Sequence, residues 1–180
     1  MKDANWIWKS WTLLALVALS LPFVITSQVA AQSSPPAADT YTWSGELVSL
    51  DEGARILTVK TRVVGDQPMT ELPKFKAGDR LMLTWSGYDK YADAINRAAR
   101  FDAAKKSEER FTFPVDFVAF DSAHQYVTFK APVPTDSVAK IKSLKPGEWV
   151  TATSPHTKTA EAQPIVSVRP YVWSSSTNSN

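Results

Sequence analysis

Tyr41–Lys60, YTWSGELVSLDEGARILTVK, is the stretch that decides the fold, because Phe111–Lys130, FTFPVDFVAFDSAHQYVTFK, writes it a second time seventy positions later. Laid over one another without a gap, the two keep Thr42 and Thr112, Val48 and Val118, Asp51 and Asp121, Thr58 and Thr128, and Lys60 and Lys130. Chemical type is also kept at Tyr41/Phe111, Trp43/Phe113, Glu46/Asp116, Leu47/Phe117, Leu50/Phe120, Ile56/Tyr126, Leu57/Val127 and Val59/Phe129. The echo resumes one residue out of step, where Phe75-Lys76-Ala77-Gly78-Asp79 answers Leu144-Lys145-Pro146-Gly147-Glu148. Such a pattern predicts a duplicated β unit.

Within each copy the apolar residues alternate as they do along a strand. Tyr41, Trp43 and Leu47 hold one phase before Val48 and Leu50 load the other, and Phe111 to Phe120 does the same, so each strand is expected to be buried on both faces at its end. Gly45 is a natural place for the bend. Asp51-Glu52-Gly53-Ala54 and Asp121-Ser122-Ala123-His124 read as hairpin turns in which the aspartate accepts a backbone hydrogen bond. The return strands put Leu57, Val59 and Val63, and in the copy Val127, Phe129 and Val133, on the core face, with Lys60 and Lys130 opposite.

Outward from the hairpins the halves diverge. Gly65 to Lys74, with Pro68 and Pro73, reads as an irregular loop, whereas Val138, Ile141 and Leu144 have helical spacing within Thr135 to Leu144. Both halves re-enter β structure through Lys-x-Gly-acid turns, with Leu81, Leu83 and Trp85, and then Val150 and Ala152, facing inward. Residues 88–110 break the parallel: Tyr88, Tyr91, Ala92, Ile95, Ala98 and Ala99 recur at helical intervals, so a helix is predicted there, with a polar face that includes Arg97 and Arg100. A last strand follows in 164–172 around Ile165, Val166 and Val168, and 174–180 is a polar tail expected to be disordered.

At the N-terminus, Lys2 and Lys9 precede an apolar run from Leu13 to Ile25, and Val29-Ala30-Ala31 offers small residues for cleavage, so 1–31 reads as an export signal peptide. The run is shorter than the roughly 20 apolar residues of a membrane span and is broken by Pro22. Residues 32–40 read as a flexible linker. The domain organisation expected is therefore a single β domain over 41–173, built from repeats at 41–87 and 111–173 joined by the helix. Its strand and turn order resembles the small oligonucleotide/oligosaccharide-binding (OB) barrel class, which implies a small OB-like barrel or sandwich. The protein has no cysteine, which excludes a disulfide framework, thiolate metal sites and a cysteine nucleophile. Formal charge is +2; without Lys2, Lys9 and Asp3 it is +1, a balance that offers no field for nucleic acid or an anionic membrane.

No Gly-x-Ser-x-Gly, HExxH, Walker, Gly-x-Gly-x-x-Gly or EF-hand pattern occurs, so neither an enzyme class nor a cofactor is predicted. The hairpin and Lys-x-Gly-Asp pattern faintly resembles exported copper-binding chaperones, which hold a soft ion with methionine and histidine. The candidate ligands for such a metal-handling role are His124, His156, Met69 and Met82, without the Met-x-Met or His-x-x-x-Met spacing that would carry it. A hydrolase with an unrecognised site is a third reading. The leading expectation is an exported, periplasmic or secreted, non-enzymatic binding or assembly module of the cell envelope. Its partner would be an envelope protein or a small ligand, engaged through Tyr88, Tyr91, Arg97, Arg100, Trp149 and Trp173.

Overall fold

A computed structural model of the chain describes residues 39–86, 94–103, 111–156 and 164–172. The expected signal peptide, most of the linker, Tyr88, Tyr91, Trp173 and the tail lie outside the described residues. Ten elements follow in order: β1 (Thr40–Asp51), β2 (Ile56–Arg62), α1 (Asp66–Glu71), β3 (Arg80–Trp85), β4 (Ile95–Arg100), β5 (Thr112–Asp121), β6 (Tyr126–Pro132), α2 (Thr135–Ile141), β7 (Trp149–Pro155) and β8 (Ser167–Pro170). All eight strands form one antiparallel sheet in the order β4-β3-β5-β6-β2-β1-β7-β8, which is not closed. The fold is mainly β, as the alternation predicts.

The hairpin turns follow from local chemistry. Asp51 Oδ1 accepts from the Ala54 N–H at 2.8 Å and Asp121 Oδ1 from the His124 N–H at 3.0 Å. Arg55 and Gln125 close the turns with φ of 57° and 58°, a left-handed conformation that lets the return strand begin. In the Lys-x-Gly-acid turns, Gly78 and Gly147 take φ of 91° and 94°, where a Cβ would be strained.

The phase switch in the two long strands is a β-bulge. Leu47 pairs with Val59 and Ser49 with Thr58, so Val48 is the extra residue, and Leu47 and Leu50 face the same way. Phe117 pairs with Phe129 and Ala119 with Thr128, which makes Val118 the extra residue of β5. This corrects the expected double burial at the strand ends: Val48 is 38% exposed, and burial on both faces falls instead on Trp43, Ser44 and Gly45, where β1 lies between β2 and β7. The bulge is at Val48 and not at Gly45. A Cβ there would meet the Lys60 carbonyl oxygen at 3.2 Å, so it is the place where two backbones approach closely.

Three other expectations are corrected. Residues 66–71 form α1 and Leu72–Lys74 a 3₁₀ turn rather than an irregular loop, with Pro68 and Leu72 buried beneath. Val166 is 39% exposed, whereas its neighbours Ile165 and Val168 are buried. The helix predicted over 88–110 is absent from its described part, where Ile95–Arg100 is β4. Ile95 and Ala98 are its buried residues, three apart, because Thr84 pairs with Arg97 and Trp85 with Ile95, leaving Asn96 as an extra residue. A strand bulged in this way imitates helical spacing.

Pairing also decides what happens at the end of the sheet. The Val64 N–H donates to the Ile95 carbonyl, Val63 forms an isolated bridge with Ile95, and the Gln67 side-chain amide both donates to the Ala98 carbonyl (2.8 Å) and accepts from its N–H (2.9 Å). Part of β4's outer edge is thus satisfied by α1 and the chain before it, which blunts an edge that would otherwise template aggregation. At the opposite end the Val168 N–H of β8 donates to Ser137 Oγ of α2 at 2.9 Å.

Side chains from both halves fill one core cluster. Trp43 stacks on Phe113 (centroids 5.0 Å apart, planes 7° apart) and leans on Phe129 and Trp85 at 5.6 and 6.3 Å. Trp43, from β1, therefore touches rings from β3, β5 and β6. Each hairpin is flanked by strands of the other half, β1 by β7, β2 by β6 and β5 by β3, so neither half contains a complete sheet.

Candidate functional site

At one end of β3 and β4, the turn Lys76-Ala77-Gly78-Asp79 sets a carboxylate against Arg100. Asp79 Oδ2 accepts from the Lys76 N–H at 3.0 Å and from Arg100 at 3.2 Å. The Arg100 guanidinium lies 5.4 Å from the centroid of the Phe75 ring, and Arg80 lies 4.4 Å from that of Phe101. Arg100 pairs opposite Leu81 and so has the inward phase. At this rim its guanidinium lies over Phe75 while the side chain stays 63% exposed. Arg97 is exposed on the same strand.

The Lys76 N–H above all, and then Arg100, hold the Asp79 carboxyl below its ordinary range; the backbone N–H of His124 and then its ring do the same for Asp121. A carboxyl depressed in the fold stabilises it above the unfolded value of about 3.9, and that stabilisation is lost as pH falls through the lower folded value. Acid unfolding of Asp79→Asn and Asp121→Asn should accordingly show a weaker dependence on pH below about 4 than the parent. An unchanged acid limb would refute the assignment.

The corresponding rim of the other half has different chemistry. Lys145-Pro146-Gly147-Glu148 forms the same turn, with Glu148 accepting from the Lys145 N–H. In place of Arg80 over Phe101 stands Trp149 against Tyr171, edge to face at 6.2 Å, beside the exposed Val172. Trp149 is half-buried rather than fully displayed. Of the binding residues read from the sequence, the structure puts Arg97 and Arg100 on β4 and Trp149 on β7, with five strands between them in the sheet order, so they do not form one site.

The four metal-ligand candidates occupy four different places. His124 is exposed in the β5–β6 turn with Nδ1 2.7 Å from Asp121 Oδ2. Met69 is on α1 against the core, and Met82 is half-buried on β3 between Ala99 and Pro114. His156 follows β7. Among the described residues no group of three or more His, Cys, Asp or Glu could hold a metal ion.

Sequence reasoning missed the node around His156. Its N–H donates to the Asp39 carbonyl at 3.0 Å, and its Nδ1 accepts from the Phe111 N–H at 3.2 Å. A neutral imidazole accepting at Nδ1 carries its hydrogen on Nε2, which faces Asp39 Oδ1 at 3.6 Å. The ring sits 4.8 Å from both Tyr41 and Phe111. Phe111 has φ of 63°, a strained value for a bulky residue, over-determined here by these contacts and by the Trp85 N–H donating to its carbonyl. Nearby, Trp43 Nε1 donates to Ser154 Oγ at 2.8 Å and Ser154 donates to the Pro164 carbonyl. The available signal was the pairing of Tyr41 with Phe111 in the echo.

Tyr41 is buried and its hydroxyl makes no hydrogen bond. Burial pushes the phenol far above its usual range, and the Ser154 hydroxyl offsets only part of that, since the two groups form no well-directed bond. A raised phenol stabilises the fold fully below about pH 10 and progressively less above it, as the unfolded chain ionises. Tyr41→Phe, the residue type at Phe111, should be neutral or slightly stabilising at pH 7, because it removes an unpaired buried group. It should also retain more of its stability above pH 10 than the parent. A loss of more than about 1 kcal/mol at pH 7 would mean that the hydroxyl has a partner.

No protein-family model, curated protein or solved structure matches this chain.

Proposed function

We propose that the chain is an exported, non-enzymatic binding or assembly module of the cell envelope, built by duplication of a β unit into an OB-like scaffold. The duplication is supported by shared detail: bulges at Val48 and Val118, aspartate-closed turns at Asp51 and Asp121, and glycines of matching φ at Gly78 and Gly147. The strand order also reads the same from both ends when each half's strands are numbered separately.

One observation carries the binding role: the rim of β3 and β4 presents arginines over aromatic rings, Arg80 on Phe101 and Arg100 on Phe75; Arg97 is exposed further along β4, opposite Thr84. Arginine and aromatic side chains are the residue types enriched where protein surfaces bind. The histidines, in contrast, brace turns and chain ends. The partner is an envelope protein or a small ligand, met in the periplasm or outside the cell once the signal has been cleaved; nucleic acid is not a partner, and no membrane insertion follows cleavage. No helix among the described residues is long and apolar enough to cross a membrane.

Photo-crosslinking in intact envelopes tests the reading. A photoreactive residue at position 80 or 100 should give a discrete adduct, and one at the exposed turn position 52 should not. Identical patterns at all three positions, or no adduct at any, would overturn it.

A further inference from the structure

The seam between the halves is itself an interaction surface, and its natural complement is a second copy of this chain. The β1–β2 hairpin pairs with β7 and β6, and the β3–β4 pair attaches to β5. Among the described residues these two pairs share no ladder within the first half; they meet through the Val63–Ile95 bridge, the Val64–Ile95 hydrogen bond, α1 and the packing of Trp43 on Trp85. Every long ladder that completes a half is thus supplied by the other half. Nothing in those ladders requires the complement to come from the same polypeptide; only the connection from Phe101 to Phe111 does.

We infer that the two halves can be exchanged reciprocally between chains, and that the length of this connection is what keeps the protein a monomer. The Phe101 N–H donates to the Arg80 carbonyl at the start of β3, and the Phe111 carbonyl accepts from the Trp85 N–H at its end. The two ends that the connection joins are therefore separated by the length of β3, five residues at about 3.3 Å each, and by the two spacings of about 4.8 Å between the neighbours of β3. That is about 19 Å in a straight line. Ten residue steps reach it easily; three, at 3.8 Å each and so about 11 Å, do not.

Deleting residues 104–110 from the full chain, so that Ala103 is joined to Phe111, leaves three steps and forbids closure within one chain. The parent and a variant with 104–110 replaced by a Gly/Ser stretch of equal length should both be folded monomers by light scattering and circular dichroism. The deletion should give a folded dimer, of twice the mass, with the parent's spectrum. A folded monomer would mean that the length of the connection does not decide between closure and exchange, and would overturn the inference. An unfolded or aggregated deletion beside a folded Gly/Ser variant would mean that the halves do not complement each other across chains, and would overturn the inference.

Discussion

Trp43→Ala should lower stability by about 3–5 kcal/mol, the largest single-residue loss expected in this chain. The indole is 1% exposed, stacks on Phe113, touches Trp85 and Phe129, and donates its N–H to Ser154. Truncation opens a cavity among rings from β3, β5 and β6 and leaves the Ser154 hydroxyl without its donor, so a transfer cost and a cavity cost add to a lost hydrogen bond. Against the ~5–15 kcal/mol that separates native from unfolded domains, this is about a fifth of the total or more. A fall in melting temperature on the order of 10 °C follows for a domain of this size. Trp43→Phe, which keeps a ring against Phe113, should recover most of it. Urea unfolding followed by circular dichroism measures the effect without relying on the deleted fluorophore. A loss under 1 kcal/mol would mean that Trp43 is not at the centre of the core.

The second large effect is expected at an equivalent pair. Leu57 on β2 and Val127 on β6 are fully buried and sit opposite Leu50 and Phe120 across their own hairpins. Leu57→Ala and Val127→Ala should each cost about 1–4 kcal/mol and should lower the same cooperative transition, with the denaturant slope unchanged. The reason is the pairing of β2 with β6, from Ile56 opposite Pro132 to Arg62 opposite Tyr126. Neither half as a whole can leave the sheet without stripping strands of the other. Two resolved transitions, one moved by each substitution, would show the halves unfolding separately.

What was legible in the sequence was local. The hairpins, the inward faces of β2, β3, β6 and β7 and the turn-closing aspartates could be read because each depends on residues a few positions apart. The bulges were half legible: the change of phase after Leu47 and Phe117 is written in the residues, but the extra residue, Val48 or Val118, is fixed only by what pairs opposite. β4 was read as part of a helix because Ile95, Ala98 and Ala99 recur at helical intervals with Tyr88, Tyr91 and Ala92, and because alanine favours helix. Its strand state comes from Leu81 to Trp85 alongside and from the amide of Gln67, and such tertiary partners override propensity. The strand order could not be read, since it depends on contacts between halves that share no turn. Of the rim, Arg97, Arg100 and Trp149 were found as charged or out-of-phase residues on a surface. The node of Tyr41, Phe111 and His156 was missed because its members come from three separate parts of the chain.

The interleaving of the halves is the central structural claim, and one cross-strand pair tests it directly. Thr84 on β3 and Thr112 on β5 are register partners whose hydroxyl oxygens lie 3.1 Å apart. Because the protein has no cysteine of its own, Thr84→Cys with Thr112→Cys creates a single possible disulfide. The interleaved sheet predicts that it forms within one chain under mild oxidation, with the far-ultraviolet spectrum preserved. Thiols that stay free in the folded protein, or that link only after denaturation, would contradict the strand order.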